Sequence, residues 1–218
     1  MMAEVNLLDR YPRSKRPIAD RHVAQDANKA LARLYGREYF DGDRTQGYGG
    51  YRYDGRWIPI AERFRDHYNL SAGDTVLDIG CAKGFLLLDL QQVVPGLRVV
   101  GADISDYALR HAMGTLRGHL VRATADQLPL ASKSVDVAIA INVLHNLPRA
   151  RCIAGLRELQ RVARRGAYVQ VDSWLTPEQR DNFERWVLTA ETYDSPDGWR
   201  QLFAEAGYTG DYYWTLTE

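Results

Sequence analysis

Five side chains stand where chemistry could be done: Asp78, Asp103, Asp126, His145 and Asp172. Asp78 lies two residues before a turn of mostly small residues, Gly80-Cys81-Ala82-Lys83-Gly84. Small residues let a backbone approach a ligand closely, and the open N-terminus of a following helix turns unpaired N–H groups toward it. Asp103 ends the next apolar run, about twenty residues beyond the turn, where an acid can take hydrogen bonds from ribose hydroxyls. His145 follows a later apolar run, and an imidazole titrates near neutral pH and can take a proton. Asp172 ends the run after that and could orient a hydroxyl or the histidine.

The elements that must hold these residues alternate. Strands are expected over 75–79, 97–103, 119–123, 134–142 and 166–172, with helices between them. The run over 134–142 is almost wholly apolar after Asp136, as in a strand covered on both faces. Helices are expected over 176–192, capped by Thr176 with Pro177 in its first turn, and from Ser195 to a stop at Gly207. The segment 211–216 closes the chain as a last strand. Alternation of this kind predicts an α/β fold, a doubly wound, mostly parallel sheet whose ligand lies beyond the carboxyl ends of the strands.

Residues 1–72 are expected to form an N-terminal arm, helices and a lid loop, and residues 73–218 the ligand-binding unit, the two making one structural unit. The arm over 1–18 reads as disordered and basic. Residues 20–35 read as a helix with Val23, Ala27, Ala30, Leu31 and Leu34 inward. The loop 39–57 mixes glycine with Tyr48, Tyr51, Tyr53, Trp57, Arg44, Arg52 and Arg56. Flat rings and guanidinium forks suit polar ligands, so Tyr48 and Arg52, with Tyr193 from the far end, are candidate substrate contacts beside His145.

The turn decides between two nucleoside ligands. A dinucleotide turn reads G-x-G-x-x-G, which DIGCAKG does not match. The segment instead resembles the first motif of the class I S-adenosylmethionine-dependent methyltransferases, acid-x-G-x-G-x-G, at Asp78, Gly80 and Gly84; Ala82 stands where that family has its middle glycine. The resemblance runs from about Asp74 to the last strand, through ADQLPL and SVDVAIAINVLHNL. It implies a Rossmann-like fold and S-adenosylmethionine as cofactor. It implies cofactor contacts at Asp78, Gly80, Cys81, Ala82, Gly84, Asp103, Ile104, Asp126, Gln127 and Asn142, with His145 and Asp172 as catalytic candidates. It also implies an antiparallel last strand, although only one clear strand follows 166–172.

Bulk properties narrow the acceptor. Lys plus Arg and Asp plus Glu both number 28, so there is no electrostatic footprint for nucleic acid. Cys81 and Cys152 have neither metal-site nor disulfide spacing, no run is long enough to cross a bilayer, and a cytoplasmic protein without a metal is expected. The expected acceptor is a small polar metabolite, a sugar, nucleotide-sugar or natural-product intermediate; a homodimer is compatible with the sequence. The alternatives are an RNA or protein methyltransferase and a regulatory protein that binds the cofactor without turnover; a nicotinamide oxidoreductase is disfavoured by the turn.

Overall fold

A computed structural model describes residues 2–12, 18–23 and 25–217. Six strands form one sheet: β1 (Thr75–Ile79), β2 (Arg98–Asp103), β3 (Leu120–Arg122), β4 (Val135–Ile141), β5 (Ala163–Ser173) and β6 (Asp211–Leu216). Their order is β3-β2-β1-β4-β5-β6 and every pairing is parallel. The order reverses between β1 and β4, which opens a crevice above their carboxyl ends.

The last strand is therefore a correction: β6 runs parallel to β5, with Tyr168 opposite Asp211 and Ser173 opposite Leu216. The reason is the connection. Helices α8 (Pro177–Trp186) and α9 (Pro196–Ala206) carry the chain back across the sheet before β6 begins, whereas an antiparallel neighbour follows from a short hairpin. The arm also differs from expectation over its described part. Val5 donates its N–H to the Tyr212 carbonyl and Tyr212 donates to that of Ala3, so the arm pairs with β6, and Leu7 is buried in the core. Residues 13–17 of the expected basic arm lie outside the described residues.

Before the sheet come α1 (Ile18–His22), α2 (Gln25–Ala32), α3 (Arg37–Asp41) and α4 (Ile58–Tyr68). The inward face expected for residues 20–35 is wrong: Val23 is 72% and Leu34 74% exposed, while Arg21, Asn28 and Ala32 are buried. Arg21 is held there by the carbonyls of Arg44 and Gly47 and by the Trp186 ring beneath its guanidinium. Ile60, Ala61 and Phe64 of α4 share one apolar cluster with Leu86, Leu87 and Leu90 of α5 (Phe85–Val93). On the other sheet face, α7 (Arg149–Val162) buries Cys152, Leu156 and Leu159 with Trp199 and Phe203 of α9. No described helix is long and apolar enough to cross a membrane.

Candidate active site

The glycine turn is shaped by three residues in left-handed backbone: Gly80 at φ 75°, Ala82 at φ 50° and Gly84 at φ 80°. A Cβ at Gly80 would sit 2.7 Å from a Val143 methyl, so glycine is required there by space as well as by angle. Ala82 pays for its conformation with two contacts: it is buried, and its N–H donates to Asp103 Oδ2 at 2.8 Å. Asp103 Oδ1 accepts from Ser105 N–H at 2.7 Å. Burial raises the Asp103 pKa, opposed by those backbone donors. Cys81 turns its thiol into the core against Gly101, where burial pushes its pKa well up, so only its backbone borders the turn.

Asp78 has no hydrogen bond to its carboxylate among the described residues and is 6% exposed. Burial, with the nearby charge of Asp103, pushes its pKa up to about 8. A buried acid without a partner at the foot of a glycine cradle fits a ligand that brings a cation. Beyond Asp103, Ile104 is exposed and lines a crevice of about 430 Å³ with Arg122, Ala123, Thr124, Gln127 and Pro129. Asp126 sits next to this crevice, but both its oxygens accept from Arg151 of α7, at 2.7 and 2.9 Å. That pairing holds its carboxyl below the ordinary range.

His145 is 3% exposed, in a short 3-10 turn after β4. Its Nδ1 accepts the Asp172 backbone N–H at 3.0 Å, and its Nε2 lies 3.5 Å from Asp172 Oδ2. The neutral ring therefore carries its hydrogen on Nε2, facing the carboxylate. Burial lowers the His145 pKa, with Asp172 opposing. The His145 carbonyl accepts from Glu191 and Thr192, which ties the 188–193 loop to the site. Asn142, in left-handed backbone at φ 54°, ends β4 beside Val143.

The lid closes over β1 and β2. Lys83 of the turn donates to both Asp41 oxygens and to the Tyr51 carbonyl; Tyr107 of α6 (Asp106–Arg110) donates to Asp41; Ser105 donates to the Tyr35 carbonyl. Tyr51 stacks on Phe85 at 4.7 Å, and Tyr53 donates to Asp89 of α5. Tyr48 packs among Tyr39, Phe40 and Tyr51 yet keeps 42% of its surface accessible. Burial pushes the Tyr35 phenol up to about 12.

The structure thus places Asp103 against the Gly80–Gly84 turn through Ala82, and Val143 of the Asn142–His145 segment against Gly80, with Tyr48 packed in the loop 39–57. Tyr193 lies farther out, 41% exposed, edge-on to Phe183 and Trp174. Arg52 is exposed, and no contact among the described residues ties it to the site. Sequence reasoning missed Tyr35, Tyr39 and Asp41, whose only signal is tyrosine density between two helices. No group of three His, Cys, Asp or Glu that could hold a metal occurs among the described residues.

Comparison with known proteins agrees with this geometry. Residues 76–166 match the methyltransferase domain family. The chain is 32% identical over 117 residues to an uncharacterised methyltransferase of Mycobacterium avium, covering 51% of this chain and 44% of the relative. It is 37% identical over 78 residues to the U6 snRNA (guanine-N(2))-methyltransferase THUMPD2 of Bos taurus, covering 33% of this chain and 16% of that protein. The chain thus spans less than half the length of these relatives. A SAM-dependent methyltransferase of Aquifex aeolicus shares the fold at a TM-score of 0.52 and 19% identity, over 72% of this chain and 89% of that one. Residues 76–166, which carry the Gly80–Gly84 turn, are thus a methyltransferase domain, and the relatives support a class I S-adenosylmethionine-dependent methyltransferase with S-adenosylmethionine as its cofactor.

Proposed function

We propose that this chain transfers the methyl group of S-adenosylmethionine to a small polar metabolite, of sugar, nucleotide-sugar or natural-product type. The observation that supports this reading is the closed packing over the turn: Lys83, Phe85, Ser105 and Tyr107 all contact residues 35–51. A covered cofactor turn suits a small acceptor better than a polymer, and a chain with balanced charge brings no general attraction for polyanions.

Bound S-adenosylmethionine supplies an electrophilic methyl on a cationic sulfur. Asp78 would hold the ammonium, Asp103 the ribose hydroxyls, and Ile104 and Gln127 the adenine crevice, with Gly80, Cys81, Ala82 and Gly84 lending backbone. Asp126, already engaged by Arg151, would shape the crevice through its backbone. Rate then comes from holding donor and acceptor in line and excluding water, which the lid does. Where the acceptor is a hydroxyl, its proton goes to the Asp172 carboxylate. On this reading His145 orients Asp172 and does not take the proton itself, with Nδ1 on a backbone N–H and Nε2 toward the Asp172 carboxylate. Tyr48 and Tyr193 would contact the acceptor's rings or hydroxyls, with Arg52 reaching it only on rearrangement of the lid.

A second reading, methylation of RNA, is favoured by the THUMPD2 match, since that relative is named for U6 snRNA. Isotope-labelled S-adenosylmethionine, offered with fractionated metabolites and RNA and read by mass spectrometry, separates the two. Label in a small molecule with the native protein and not with Asp103→Ala supports the proposal. Label in RNA replaces it with the second reading.

A further inference from the structure

A hydrogen-bond relay runs from the sheet interior to Asn142, and it depends on β6 lying directly beside β5. Gln170 is buried on β5. Its Oε1 accepts from the Tyr168 hydroxyl at 2.9 Å, so its amide N–H donates onward, to Thr215 Oγ1 of β6 at 2.9 Å. Thr215 has one hydroxyl hydrogen, and it goes to Asn142 Oδ1 at 2.8 Å. The Asn142 amide is thereby held one way round: its oxygen faces Thr215, and its two N–H donors lie on the other branch. The backbone of Asn142 is fixed as well, by its N–H on the Gln170 carbonyl at 2.9 Å. Val143, the next residue, touches Gly80 of the cradle.

We propose that Gln170 and Thr215 are positioning residues that lock Asn142 as an N–H donor to the cofactor's carboxylate. This rests on the reading that the chain binds S-adenosylmethionine. Among the described residues, the turn's own cation, Lys83, is engaged by Asp41 and the Tyr51 carbonyl, which leaves that carboxylate to a neutral donor. Asp78 can serve only the ammonium end. A neutral amide held in one orientation supplies what is missing without adding a charge beside Asp78 and Asp103. Left unlocked, the amide would present its oxygen half the time, and two like dipoles would face each other.

The test is calorimetric binding of S-adenosylhomocysteine and of methylthioadenosine, which has the same adenosine and no carboxylate, to the native protein, Thr215→Val and Thr215→Ser, with a melting curve for each. Thr215→Val is expected to bind S-adenosylhomocysteine about tenfold more weakly, the loss of roughly one well-placed hydrogen bond, and methylthioadenosine unchanged. Thr215→Ser, which keeps the hydroxyl, is expected to restore native binding. Equal losses for both ligands, or no loss for either, overturn the proposal, the first by showing a general structural role. Failure of the native protein to bind either ligand refutes instead the cofactor reading on which the proposal rests.

Discussion

Lys83 Nζ lies 2.9 and 2.7 Å from the two oxygens of Asp41, and this pair joins the cofactor turn to the lid. The lysine side chain is buried and that of Asp41 mostly so, which keeps the pair out of reach of bulk screening. Burial alone would raise the Asp41 pKa; the hydrogen bonds from Lys83 and Tyr107 outweigh it and hold the carboxyl below its ordinary range. The pair ties the turn to its roof, and opening of this pair is the step expected to admit and release the cofactor. Asp41→Asn, which keeps the shape and loses the charge, is expected to speed S-adenosylhomocysteine release about tenfold, for roughly 1–2 kcal/mol of a charge-assisted bond. Stopped-flow displacement measures it, and an unchanged release rate would show that the lid opens elsewhere.

Asp78 gives the pH dependence a sign. In the free protein it is protonated below about pH 8, because burial penalises its charged form. A cationic ligand binds the carboxylate form, so affinity for S-adenosylhomocysteine is expected to rise as pH climbs from 6 toward 8, with a proton released on binding at pH 7. Stability of the free protein moves the opposite way. The folded pKa lies above the unfolded value, so the folded state holds more protons between the two, and stability falls as pH rises through that window. Asp78→Asn is expected to remove the pH dependence of binding and to melt higher than the native protein at pH 8. Calorimetry in two buffers and melting curves at pH 5 and 8 check both; a native protein that binds with the same affinity at pH 6 and 8 refutes the assignment.

How much of this was legible beforehand depends on whether the cause is local. The turn could be read because Gly80 and Gly84 answer backbone angles that the segment imposes on itself, and Asp103 because a strand end fixes its place. The departure at Ala82 is offset from another element: its N–H on Asp103, 21 positions on, compensates for a left-handed angle costing about 1–2 kcal/mol. The direction of β6 could not be read, since it follows from where α9 returns the chain, and its outer edge is met by residues 3–5 from the far end of the sequence. Val23 and Leu34 misled because helical spacing says that a face is apolar but not what it faces. Asp126 had its Arg151 partner 25 positions away on another element, and no spacing announces such a pair.

His145 and Asp172 carry a prediction about which of them handles the proton. The imidazole is buried, its pKa pushed below 6.5, and its two nitrogens are directed at one residue, Nδ1 to the Asp172 N–H and Nε2 toward the Asp172 carboxylate. A histidine acting as base needs one nitrogen open to the acceptor, and here both are directed at Asp172. Once an acceptor is in hand, His145→Ala is expected to lower kcat by about ten- to a hundredfold through loss of the orientation it imposes, with the KM for S-adenosylmethionine nearly unchanged. Asp172→Asn is expected to cost at least as much. His145→Gln, which keeps a side-chain hydrogen bond toward Asp172, is expected to recover part of the loss. The deciding reading is the pH profile of kcat: an inflection that survives in His145→Gln and vanishes in Asp172→Asn supports Asp172 as the proton acceptor, whereas an inflection that vanishes in His145→Gln while Asp172→Asn stays active returns that role to His145.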